Sequence, residues 1–194
     1  DDATTFGIQS SQKVGPTVAD DIKTSAIWSI LFALIAIALY ILIRFRNIAF
    51  SAGAVVGLVH DVLFILGIYS IFYSIMPFSL EIDQSFIAAI LTVIGYSIND
   101  TVVVFDRIRE NVGLYPKRAL NELINMSVNS TLSRTFSTSF STALPLLAMF
   151  IFGGETIRGF VFAILLGVIV GTYSTIFIAS PIAYDIQQKQ AKKA

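Results

Sequence analysis

The chain has 194 residues, 55% of them hydrophobic and 13% charged, with a mean hydropathy of +0.77. A soluble domain carries about 25% charged residues, so this composition describes an integral membrane protein whose solvent is the lipid bilayer. The 13 basic and 13 acidic side chains cancel, which leaves no basic excess for a nucleic-acid partner. The absence of Cys and the single His exclude disulfides and His- or thiolate-based metal clusters.

A helix needs about 20 apolar residues to cross the hydrocarbon core. Five stretches are predicted to do so: residues 22–43, 48–76 (interrupted by His60 and Asp61), 85–105, 131–152 and 159–184. The expected fold is therefore an all-α polytopic bundle of five spans, with residues 22–185 as its transmembrane domain.

Lys and Arg set the orientation of such a bundle. Arg44, Arg46, Arg107, Arg109, Lys117, Arg118, Lys189, Lys192 and Lys193 fall on one side, against Lys13, Lys23 and Arg158 on the other. The basic side is predicted to be cytoplasmic, with residues 186–194 as a cytoplasmic tail and the N-terminus outside. An external N-terminus with no signal peptide, opening on Asp1, implies an earlier segment that carries it across. Residues 1–21 are accordingly read as the end of an external domain of a longer protein.

Small residues recur every fourth position at Gly159, Ala163, Gly167 and Gly171, and at Gly53 and Gly57. That spacing allows close helix contact and predicts a compact bundle. Ionisable groups inside spans are costly and tend to mark proton or ion paths. His60, Asp61, Asp100 and Arg134 are the candidates. In the third span Thr92, Gly95, Tyr96, Asn99 and Asp100 share one helical face, so Asp100 is expected to point at protein or water.

The fourth span is rich in hydroxyls, and Ser127, Ser130, Arg134, Ser137, Thr138 and Ser141 share a face that could hold a file of waters. Helix-to-helix glue and a snorkelling Arg134 explain the same pattern. His60 and Asp61 project about 100° apart on a helix and are expected to serve separate contacts, with Asp61 bracing a neighbouring helix. Residues 105–110 read as a solvated helix end that sets topology.

The segment Gly95-Tyr96-Ser97-Ile98-Asn99-Asp100-Thr101, continuing Val-Val-Val-Phe-Asp-Arg-Ile-Arg-Glu to Glu110, resembles the signature of the SecF family. SecF proteins are accessory subunits of the bacterial Sec translocon, also found fused to their partner as SecDF. Val14-Gly15-Pro16, Tyr40 with Arg44-Phe45, His60-Asp61-Val62 and Ser133-Arg134-Thr135 onward to Thr142 support the resemblance, which covers residues 14–185. It implies a fold of the resistance-nodulation-division (RND) type, with six spans per half and an external domain after the first. It also implies a membrane protein of the bacterial cytoplasmic membrane that uses the proton motive force to aid preprotein export. The implied partners are SecD, separate or fused, the SecYEG translocon and the preprotein, and the implied coupling ion is the proton, with no cofactor.

Carried onto this sequence, the resemblance makes Asp100 the proton-binding carboxylate and Arg134 its charge partner. Asn99, Thr101, Asp61 and His60 complete the expected relay, and Tyr96, Ser130, Ser137, Thr138 and Ser141 form the accompanying polar stripe. Another RND-type exporter of lipids or small molecules would use the same chemistry, and a passive scaffold would use none. No enzyme is expected. An intramembrane protease could use Asp61 with Asp100, or Ser97 with His60, but neither a rhomboid-type Gly-x-Ser-Gly nor a Gly-x-Gly-Asp motif is present.

Overall fold

The computed structural model describes residues 16–191. The stretch 1–15, with Lys13 and the Val14-Gly15 match, lies outside them, as do Lys192 and Lys193. Five helices are long and apolar enough to cross a membrane. They are built on α1 (Pro16–Phe45), α2 (Ile48–Phe72), α3 (Gln84–Leu114), α4 (Leu120–Phe152) and α5 (Glu155–Ser174). A π-helical turn, Thr175–Ala179, then leads into α6 (Ser180–Ala191), which continues the fifth span.

Capping residues and prolines explain the helix boundaries. Asn47 caps α2 by accepting from the Ala49 amide at 2.9 Å, and Asp83 caps α3 by accepting from Phe86 at 2.8 Å. Arg46, between α1 and α2, takes the left-handed conformation (φ 52°) that lets a helix end abruptly. Pro181 has no amide to donate to the fourth residue back. The preceding turn widens accordingly, and the Ser180 amide and hydroxyl both reach the Thr175 carbonyl, the hydroxyl at 2.8 Å.

Two helices run further than apolarity predicts. α3 has 31 residues and α4 has 33, and they meet across the short loop 115–119. Hydropathy falls beyond residue 105, yet Ile108, Asn111, Leu123 and Ser127 stay buried, with Asn111 Nδ2 donating to Ser127 Oγ at 2.7 Å. Packing prolongs a helix after lipid has ceased to require it.

The small-residue stripes lie in the helix contacts. Gly167 sits on Val93 and Gly171 on Ser97 of α3, while Gly53 and Gly57 of α2 approach Ala179. α3 is central and packs on α1, α2, α4 and α5.

Two apolar clusters fill the bundle. One gathers Leu58, Ile65, Tyr69, Phe86, Ile90, Val93, Ile94 and Ala163. The other, at the basic end, gathers Ile41, Phe45, Phe50, Val104, Phe105, Ile108 and Ala183. Asp106 there pairs with Arg44 at 3.2 Å and Arg109 at 3.0 Å, so the predicted solvated end of α3 is also tied to α1. Between the clusters, near the midpoints of α2 and α3, lies a buried polar layer of Asp61, Ser97, Asp100, Thr101, Ser174 and Thr175.

Candidate functional site

The polar layer is organised around two carboxyls. Asp100 is 4% exposed and points into the protein as expected, although Thr92, Gly95 and Asn99 of the face predicted with it are exposed. Among the described residues its Oδ2 is buried with no hydrogen-bond partner. Ser139 of α4 lies at the carboxyl, with Arg134 just over one turn earlier on the same helix. Ser139 is hydrogen-bonded to Thr172 of α5 and accepts a long bond from the Tyr96 hydroxyl at 3.5 Å. The carboxyl therefore stands where α3, α4 and α5 meet. A buried acceptor left unpaired is expensive in hydrocarbon.

Arg134 is exposed and forms no ion pair within 4 Å among the described residues, so the expected pair with Asp100 is not closed in this conformation. The hydroxyl stripe predicted to share one face with Arg134 lies on the outer side of α4. Ser130, Ser137 and Ser141 are exposed and Thr138 is half-buried, while the inward face of α4 is Ser127, Thr131, Thr135 and Ser139. Three of these hydroxyls donate to carbonyls of their own helix, Ser130 to Ser127, Thr138 to Arg134 and Ser141 to Thr138, and Ser130 also accepts from Arg107 of α3 at 3.2 Å. Asn99, Thr92 and Gly95 of α3 are likewise exposed. Asn99 and Arg134 thus belong to an outward polar surface, not to the interior of this bundle.

Asp61 is the second carboxyl, 1% exposed. Its Oδ2 accepts from Ser97 Oγ at 2.6 Å and from Ser174 Oγ at 2.9 Å, so α2 braces both α3 and α5. Its Oδ1 lies 3.2 Å from His60 Nδ1. The expectation that these neighbours serve separate contacts is therefore corrected: the two side chains fold back across the 100° between them and touch. Thr101 is buried and its hydroxyl meets that of Thr175 at 2.9 Å, beside this group and away from Arg134.

Ser97, noted in the sequence as part of the family signature and as a rejected nucleophile, commits its hydroxyl to Asp61, not to His60. Ser174 and Thr175 were not singled out, although paired hydroxyls late in an apolar span, one turn after Gly171, were the available signal.

The fold and its polar layer define a multi-pass helical membrane protein with two carboxyls buried at mid-depth. The chain belongs to the SecD/SecF family of protein export membrane proteins: the model of that family's C-terminal region matches residues 2–189. A protein translocase subunit SecF of Rhodothermus marinus is 54% identical over 180 residues, covering 93% of this chain and 58% of the relative. The SecF subunit of Rhodobacter capsulatus is 48% identical over 179 residues, covering 92% and 52%. The chain thus spans a little over half the length of these relatives. A crystal structure of SecDF in its super-membrane-facing form matches with a TM-score of 0.77 and 39% identity, over 93% of this chain and 24% of that one.

Proposed function

We propose that this chain is the membrane domain of a SecF-type translocase subunit that couples proton movement to preprotein export across the bacterial cytoplasmic membrane. Asp100 is the proton-binding group. The observation that carries this is a carboxyl buried in the middle of a spanning helix with one oxygen unpaired. Protonation discharges the group, and deprotonation leaves a charge that calls for a cation. Burial and a nearby cation act in opposite senses on a carboxyl's hold on its proton, so moving Arg134 towards or away from Asp100 switches its state.

Moving one charge through the membrane potential supplies about 2.3 kcal/mol per 100 mV. That biases a two-state packing without unfolding it, and many cycles accumulate into transport. The outward polar surface of Thr92, Gly95, Asn99, Ser133, Arg134 and Ser137 is unsuited to lipid and suited to a second helical half, which we assign to SecD. SecYEG and the preprotein are the further partners. In this reading the basic end faces the cytoplasm. The rival reading, an RND-type exporter of lipids or small molecules, is not favoured, because the relatives are named as protein translocase subunits.

The test is export by vesicles holding the full-length subunit and its partner, with the proton gradient imposed or collapsed. The wild type is expected to lose its gradient-dependent export on collapse. Asp100→Asn is expected to insert normally and to show none with the gradient intact. Equal, gradient-dependent export by both proteins would overturn the assignment.

A further inference from the structure

Asp61 lies outside the coupling just described, yet it is the more deeply buried of the two carboxyls. The groups facing it are few. His60 comes from its own helix, Ser97 from α3 and Ser174 from α5, while the Thr101 and Thr175 hydroxyls pair with each other in the same buried layer. Tyr173 lies against the His60 ring, with centroids 6.2 Å apart. Asp100 is one helical turn along α3 from Ser97, and among the described residues no Lys or Arg pairs with Asp61. A permanent carboxylate here would lack a fixed counter-charge, which hydrocarbon surroundings make costly.

The two oxygens are provided for differently. Oδ2 accepts both hydroxyls, and Ser174 shares its single proton between Oδ2 at 2.9 Å and the Gly171 carbonyl at 3.2 Å. Those bonds can stand whether the group is charged or neutral, because a carboxylic acid keeps an accepting carbonyl oxygen. Among the described residues Oδ1 meets only the imidazole, at 3.2 Å. The imidazole is a group that both takes and gives a proton, and its side chain is 32% exposed beside a carboxyl that is 1% exposed. Every other polar group on Asp61 is a buried hydroxyl.

We infer that Asp61 is a second proton-binding site, separate from Asp100, and that His60 exchanges its proton with the outside of the bundle. In the loading step Nε2 of the imidazole takes a proton from water admitted to its exposed edge, while Nδ1 passes its own proton to Asp61 Oδ1. This yields a neutral acid and a neutral imidazole. Unloading reverses both transfers. Because the hydroxyls on Oδ2 come from α3 and α5, the charge on Asp61 sets how tightly α2 holds those helices, next to the π-helical turn. π-helical turns often accompany functional sites. The inference rests on the reading that this domain is proton-coupled.

The test is infrared difference spectroscopy of the full-length subunit with its partner in lipid nanodiscs, between acid and alkaline pH, in the carboxylic C=O stretching region. Asp100→Asn is expected to keep a pH-dependent, buried carboxyl band, and Asp100→Asn with Asp61→Asn is expected to lose it. Ser97→Ala and Ser174→Ala, which keep the acid but remove a donor to its carbonyl, should move that band to higher frequency. They supply the answer should Asp61→Asn fail to fold. His60→Phe should slow the response of the band to a pH jump by on the order of a hundredfold. A band insensitive to Asp61 and to its serine donors, or no pH-dependent band once Asp100 is replaced, overturns the second site. A wild-type spectrum from which Asp100→Asn removes nothing counts instead against Asp100 and leaves the Asp61 result to stand by itself.

Discussion

Gly167 of α5 lies directly on Val93 of α3, so that a Cβ built at 167 would stand 2.5 Å from Val93 Cγ1 and 2.8 Å from its Cβ. No rotamer relieves this, because a Cβ is fixed to the backbone. Replacing a helical Gly by Ala gains up to about 1 kcal/mol of helix propensity, whereas overpacking a close contact costs about 1–3 kcal/mol. Gly167→Ala is therefore expected to lower the thermal midpoint in detergent by a net cost of about 1 kcal/mol. Val93→Ala should rescue it only in part, since the residual Cβ is still too near. Gly67→Ala, where a Cβ meets nothing within 4 Å, should be neutral or stabilising. Equal effects at 67 and 167 would show that contact with α3 is not what requires Gly167.

Gly95 tests the outward polar surface. It is exposed on α3, and a Cβ there meets nothing within 4 Å in this chain. Gly95→Leu is thus expected to leave the thermal midpoint of the isolated subunit unchanged. If SecD packs on that face, the added side chain should weaken co-purification with SecD by about tenfold or more, the equivalent of 1.4 kcal/mol. Undiminished association would move the partner to another face.

Arg134 is exposed and beyond ion-pair distance of Asp100 here, so the proposed pair requires a different conformation. Measuring export for Asp100→Asn, Arg134→Met and the combination should give a joint defect short of the sum by about 1 kcal/mol or more. Arg134→Lys should behave like Arg134→Met, because a lysine cannot reproduce a forked contact to a carboxylate. Additive defects, with Lys tolerated, would make Arg134 a headgroup anchor only.

Orientation is checked with reporters. Inserted in the 115–118 turn they should read as cytoplasmic, and inserted at 81–83 as external. The opposite pattern would reverse the direction of proton flow in the proposed cycle.

Five spans, the polytopic class and the family signature around Asp100 were legible in the amino-acid sequence. Apolar length and a long run of specific residues are local properties, and hydrocarbon tolerates few alternatives to a helix. That Asp100 turns inward was legible from the cost of a carboxyl in hydrocarbon, but the face that buries it was not, since Thr92, Gly95 and Asn99, predicted to share its face, lie exposed. What the tertiary structure alone decided was which faces meet. It turned Ser139 inward and Arg134, Ser137 and Ser141 outward, although all four sit within one hydroxyl-rich stretch with no apolar marker of its own. It also joined Asp61 to Ser97 and Ser174, residues 36 and 113 positions away. Hydrogen bonds across that separation leave no periodic trace in the chain, and only the packing of α2, α3 and α5 brings their ends within reach.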